Sequence, residues 1–133
     1  MNSPNKLKNM NAEDIRTYAL SFPDTEECFP FDEHTLVFKV AGKMFLLLAL
    51  DEHPLRFNAK ADKEKLISLR EDYPDIILPG YHMSKLHWNT VICDIHQNTS
   101  FYKEIIQHSY LQVIAKFTKA KREEIMRILA ENH

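Results

Sequence analysis

Tyr81, His82, Lys85, His87, Trp88 and Asn89 stand within one short stretch between a Pro79-Gly80 turn and a β-branched run, and Trp88 is the only tryptophan of the chain. Imidazole and ammonium groups donate hydrogen bonds to phosphate or carboxylate, and indole and phenol rings offer faces on which a base or ring can stack. These six residues are the candidate binding surface for a nucleic acid or another ligand. Each also has a plainer reading: Trp88 as a sheet-packing residue, the histidines as hydrogen bonders that hold the loop, Lys85 as a solvated loop lysine.

Other chemistries find less support. A metal centre needs three or four convergent N, S or O ligands. His82 and His87, even with Cys93 or His96 brought near, match no standard ligand spacing, so no metal is expected. Ser109 with a histidine and an aspartate makes a triad on paper only, because no nucleophile elbow or oxyanion loop accompanies it. The chain has two glycines, Gly42 and Gly80. That excludes a glycine-rich phosphate loop and a dinucleotide fingerprint. No cofactor is expected, and binding without turnover is the reading that remains.

A second set of residues could contact phosphate more weakly: Arg56 and Lys60 near the second helix, and Lys116 and Lys119 near the end of the chain. Both regions are rich in Lys and Arg, but helix-dipole placement and i,i+4 pairing are the favoured account of each cluster taken singly. The formal net charge is −2, so no global positive field attracts nucleic acid. The charge is unevenly spread. Residues 11–52 hold three Lys/Arg against nine Asp/Glu, whereas residues 53–133 hold twelve against ten. Ordinary solvated surface charge is the favoured reading of this asymmetry; separate acidic and mildly basic faces are the alternative.

A chain of 133 residues, 44% hydrophobic and 27% charged, suits one globular domain. Residues 1–10 are polar, lack an apolar core of the secretory type and read as a disordered lead-in, with residues 11–133 forming a single domain. The longest apolar run, Met44 to Leu50, is too short to span a membrane. Two isolated cysteines, Cys28 and Cys93, fit a reducing cytoplasm, and no membrane partner is expected.

Punctuation along the chain gives the elements. Asn11 caps a helix that Pro23 ends, and Asp62 caps another that Pro74 ends. Thr35–Val40 and Lys43–Leu50 are strands joined by an Ala41-Gly42 hairpin. Residues 24–33 read as an edge strand or the approach to one, residues 55–59 as a weaker strand, and residues 75–78 and 87–95 as two more. A last helix over residues 99–118 follows a cap at Asn98, Thr99 or Ser100, with a further helical stretch after a break near Thr118. The order is helix, three or four strands, helix, two strands, helix. Short connections favour antiparallel pairing. The expected class is α+β: a two-layer sandwich with a mostly antiparallel sheet of five or six strands and helices on one face.

Four blocks in this order resemble the MmcQ/YjbR family: Phe29-Pro30-Phe31, Val37 to Phe45, Tyr81 to Val91, and Ser109-Tyr110-Leu111-Gln112-Val113. They span nearly the whole domain. Asp32 departs from the pattern, standing where a glycine is more usual. The resemblance implies a compact frataxin-like or secretion-chaperone-like α+β fold and a proposed "double-wing" DNA-binding role in a bacterial protein. The function expected is therefore non-enzymatic DNA binding, through the 81–89 loop and local basic residues. The alternative is an adaptor that binds a protein or small ligand through the same loop.

Overall fold

The computed structural model describes residues 10–94 and 97–132. The expected lead-in lies outside them except for Met10, which is buried in the core; His96 also lies outside. Helix α1 (Ala12–Leu20) opens with a reciprocal capping box between Asn11 and Asp14. Strands β1 (Thr25–Cys28), β2 (Thr35–Val40), β3 (Lys43–Ala49) and β4 (Arg56–Lys60) follow as an antiparallel meander. Helix α2 (Lys63–Asp72) then crosses to β5 (Ile77–Pro79), which pairs with β6 (Trp88–Ile92). The chain ends in α3 (Thr99–Ile114) and α4 (Lys119–Glu131). The sheet order is β1-β2-β3-β4-β6-β5, with every neighbouring pair antiparallel. This is the expected α+β sandwich.

The strands form where β-branched and aromatic residues alternate, and tight turns set their register. Ala41 and Gly42 both have positive φ, 47° and 84°, as a two-residue type I′ hairpin requires. Asp32, in place of the more usual glycine, makes its own turn: its carboxylate accepts from the backbone N–H of His34 at 2.8 Å and of Thr35 at 2.7 Å.

Period-2 alternation divides the sheet into two faces. Leu36, Phe38, Val40, Leu46, Leu48, Phe57, Ala59 and Val91 point under the helices. There they meet Ile15 and Ala19 of α1, and Tyr102, Ile106 and Tyr110 of α3. Phe22, Phe45 and Tyr110 pack ring on ring, with centroids 4.6–6.4 Å apart. A β-bulge at Phe38/Lys39 skips Phe45, so that Phe45 also joins this core. The opposite face has no helix. It carries a smaller cluster of Val37, Leu47 and Trp88, with Cys28, Met44 and Met83 packed against it.

The helix starts expected at Asn11, Asp62 and Asn98 all carry side-chain caps. The expected break near Thr118 is the N-cap of α4. It ends the long helix at Ile114 rather than residue 118.

Candidate functional site

Two depressions lie at opposite ends of β4, one on the open face and one at the edge of the helical layer. The first, of about 560 Å³, lies over the start of β4 and is lined by Phe31, Asp32, Leu47, Ala49, Asp51, Glu52, Arg56, Asn58, Tyr81, His82 and Met83 among others. Three hydrogen bonds build its wall. The Tyr81 N–H donates to the Thr90 hydroxyl at 2.8 Å, that hydroxyl donates to Asn58 Oδ1 at 2.5 Å, and Asn58 Nδ2 donates to the Tyr81 carbonyl at 3.1 Å. The ring so formed fixes the Tyr81 backbone and holds His82 at φ 63°, with the two side-chain rings 3.9 Å apart. Arg56 sits in this groove with its Nε 3.6 Å from the nearest Glu52 carboxylate oxygen and without a hydrogen-bond acceptor.

The second depression is a cleft of about 860 Å³ between the start of α2, the end of α3 and residues 85–87. Its lining contains Lys43, Lys60, Lys63, Arg70, Lys85 and Lys116 against a single carboxylate, Asp62. Each cation is placed by its element. Lys43 opens β3, Lys60 closes β4, Lys63 begins α2 and Lys116 follows α3. Arg70 is committed elsewhere, donating to Asn89 Oδ1 at 2.6 Å and to the carbonyls of Lys85 and Trp88 at 2.6 and 3.2 Å. It holds residues 85–89 in place. None of Lys43, Lys60, Lys63 and Lys116 pairs with a carboxylate among the described residues. Burial, then the charges of Lys116 and Lys43, hold the Lys60 ammonium below the usual lysine range. Positive charge converging against a single carboxylate is the electrostatic character of an anion site.

Ser109 on α3 positions Lys60. The Lys60 N–H donates to Ser109 Oγ at 2.8 Å, and the Ser109 hydroxyl donates to the Phe45 carbonyl at 2.5 Å. The β3–β4 ladder ends at Leu46–Ala59. The buried hydroxyl thus bridges the two strands just where they part and the cleft opens.

The expected single cluster around the 81–89 loop is divided. Tyr81 and His82 are exposed and line the groove, whereas Lys85 and His87 are exposed and line the cleft. Two residues of the candidate surface point inward, which corrects the expectation that both are available to a ligand. Trp88 is only 4% exposed, packed on Val37 and Leu47. Its ring lies 5.2 Å below Lys60 Nζ. Asn89 is buried and bonds Arg70 and the Leu66 carbonyl. As neighbours on β6 they face opposite sides of the sheet, Trp88 toward Val37 and Leu47 and Asn89 toward α2, and both sides are covered. Gly80 closes the same corner: a Cβ there would come within 2.8 Å of Trp88 Cβ and 2.9 Å of its carbonyl oxygen. The four weaker phosphate candidates separate likewise. Lys60 and Lys116 converge in the cleft, Arg56 lies in the groove, and Lys119 is exposed at the start of α4. Lys43 was missed. Its signal was present, since an antiparallel β3–β4 pair brings the start of one strand beside the end of the other.

Among the described residues no group of three or more His, Cys, Asp or Glu is placed to hold a metal ion. Burial pushes the Cys93 thiol up to about 12, so it stays protonated and unreactive. No helix among them is long and apolar enough to cross a membrane.

His108 lies behind the cleft, with Nε2 3.4 Å from Asp62 Oδ2 and no hydrogen-bond partner. Burial first, then Lys65, lower its pKa from the ordinary histidine value, against the opposing pull of Asp62 and Glu104. Between the lowered folded value and the unfolded value of about 6.5 the unfolded chain binds more protons, so stability is full above that window and falls as pH drops through it. Urea unfolding at neutral and mildly acidic pH is expected to show this loss. The His108→Gln variant is expected to lose less over the same interval, and an unchanged pH dependence would refute the assignment.

Comparison with known proteins gives a consistent picture. The family model described as YjbR matches residues 20–112. An uncharacterized protein of Escherichia coli O157:H7, YbdF, is 31% identical over 113 residues, covering 85% of this chain and 92% of that one. The crystal structure of Deinococcus radiodurans DR2400, a DUF419-domain protein, superposes with a TM-score of 0.82 at 40% identity, covering 87% of this chain and 88% of the other. A Pseudomonas syringae protein shares the fold, with a TM-score of 0.61 at 24% identity over 75% of this chain and 96% of its own.

Proposed function

The chain belongs to the YjbR family, and from that premise and the geometry of the cleft we propose that it is a non-enzymatic DNA-binding protein that grips phosphates. The observation that carries this reading is the convergence of Lys43, Lys60 and Lys116 in a cleft whose lining holds one carboxylate, Asp62; burial first, and then the neighbouring lysines, depress the Lys60 ammonium. Bound phosphate relieves that repulsion, and counterion release adds to the affinity. Lys63 and Lys85 extend the basic lining, and His87 stands beside it. Because the whole chain carries a net charge of −2, binding is modest and local. Contacts to phosphate alone carry little sequence preference.

A fluorescence-anisotropy titration with labelled oligonucleotides over a range of salt tests this. The logarithm of the binding constant should fall linearly with the logarithm of salt concentration. Replacing Lys43, Lys60 or Lys116 singly by Ala should flatten the slope by about 0.9 for duplex DNA and about 0.7 for a single strand. Lys119→Ala, outside the cleft, should leave it unchanged. Absence of salt-sensitive binding sinks the reading.

The alternative is capture of a small ligand in the groove, and the Arg56 Nε, ion-paired with Glu52 but without a hydrogen-bond acceptor, favours it. A buried donor lacking an acceptor is uncommon, and a ligand carbonyl or carboxylate entering between Phe31, Tyr81 and Met83 would supply one. A thermal-shift screen of small carboxylates, lost in Arg56→Ala, tests that reading.

A further inference from the structure

The basic cleft is not only basic. Between its cations lie Ile67 and Leu86, 44% and 78% exposed, and the half-buried ring of Phe117. Large apolar side chains do not contribute to holding phosphate, and so many beside converging lysines call for a ligand with an apolar face as well as charge. The cations also sit within a depression whose volume, about 860 Å³, falls in the range of roughly 300–1,000 Å³ typical of small-ligand sites. A duplex keeps its bases stacked inside a wide cylinder and is met by a helix or ribbon entering a groove. It can set its phosphates against the cleft lysines but cannot lay its bases inside such a depression. Unpaired nucleotides can, and they expose base faces that pack on apolar or ring surfaces. Buried Trp88 cannot serve as that surface; the Ile67–Leu86–Phe117 wall and the exposed His87 ring can.

We propose that the cleft takes single-stranded nucleic acid, with phosphates on Lys43, Lys60 and Lys116 and bases against Ile67, Leu86, His87 and Phe117. The proposal rests on the nucleic-acid reading above and narrows it to unpaired strands. Ile67 and Leu86 belong to no interior cluster, so both can be changed without emptying the core.

The test uses the full chain and a labelled mixed-sequence oligonucleotide of about twelve nucleotides, within the site sizes of single-strand grooves, alone and annealed to its complement. The single strand is expected to bind about tenfold or more tighter than the duplex. The double variant Ile67→Ser/Leu86→Ser, with its fold verified by circular dichroism and thermal melting, is expected to lose several-fold affinity for the single strand and none for the duplex. Lys43→Glu should weaken both. Equal or tighter duplex binding overturns the single-strand proposal and leaves phosphate binding standing. A single-strand preference that survives the double variant also overturns it, because the strand then lies outside the cleft. If neither oligonucleotide binds in a salt-sensitive way, the underlying DNA reading falls with it.

Discussion

Replacing Trp88 by Ala is expected to lower the unfolding free energy by about 3–5 kcal/mol, the usual cost of deleting a large buried aromatic side chain. The indole is the largest side chain of the cluster on the open face, where Val37, Leu47, Cys28, Met44 and Met83 surround it. β5 and β6 join the sheet beyond β4 through the backbone that carries it. No helix covers that face to collapse into the space. Trp88→Phe should recover much of the loss and bind oligonucleotides as the unsubstituted protein does, because the ring meets the protein rather than a base. Equilibrium urea unfolding of both variants measures the first effect and anisotropy the second. A loss below about 1 kcal/mol for Trp88→Ala would mean that the ring is not packed as described.

Ser109→Ala is expected to cost about 2–4 kcal/mol, since it leaves two buried backbone groups, the Lys60 N–H and the Phe45 carbonyl, without their partner. The effect should extend to function. With the bridge between β3 and β4 gone, Lys60 is no longer held against Trp88, and oligonucleotide affinity should fall even at temperatures where the variant is fully folded. Ser109→Thr keeps the hydroxyl and should bind better than the Ala variant. Stability unaffected by Ser109→Ala would show that the hydroxyl is not what joins these strands.

Much of the architecture was legible because short-range chemistry writes it. Asn11, Asp62 and Asn98 cap helices, Pro23 and Pro74 follow helix ends, and Ala41-Gly42 turns a hairpin. The candidate site was legible only in part. Alternation assigns faces when polar and apolar residues take turns, but Trp88-Asn89-Thr90-Val91-Ile92 does not alternate. Its first four residues are all buried, because the helices cover one side and the 79–87 loop folds over the other. Which of Trp88 and Asn89 faced a ligand could not be read from that pattern, and neither does. The lysines of the cleft come from four separate stretches, at residues 43, 60–63, 85 and 116. Only the β3–β4 register and the return of α3 across the sheet bring them together. Met10 shows the opposite error: a polar neighbourhood hid one core side chain.

Strand β4 separates the two depressions, with Arg56 at one end and Lys60 at the other, about 13 Å apart at the strand's rise per residue. Asp32, Asp51 and Glu52 gather at the Arg56 end and uncompensated lysines at the Lys60 end. The small net charge therefore conceals linings of opposite character at the two ends of the strand. In the proposed DNA-binding role, a polyanion is expected to meet the lysine end first, while the net charge repels it only feebly. On that proposal, local rather than net charge sets how an acidic protein approaches an acidic polymer.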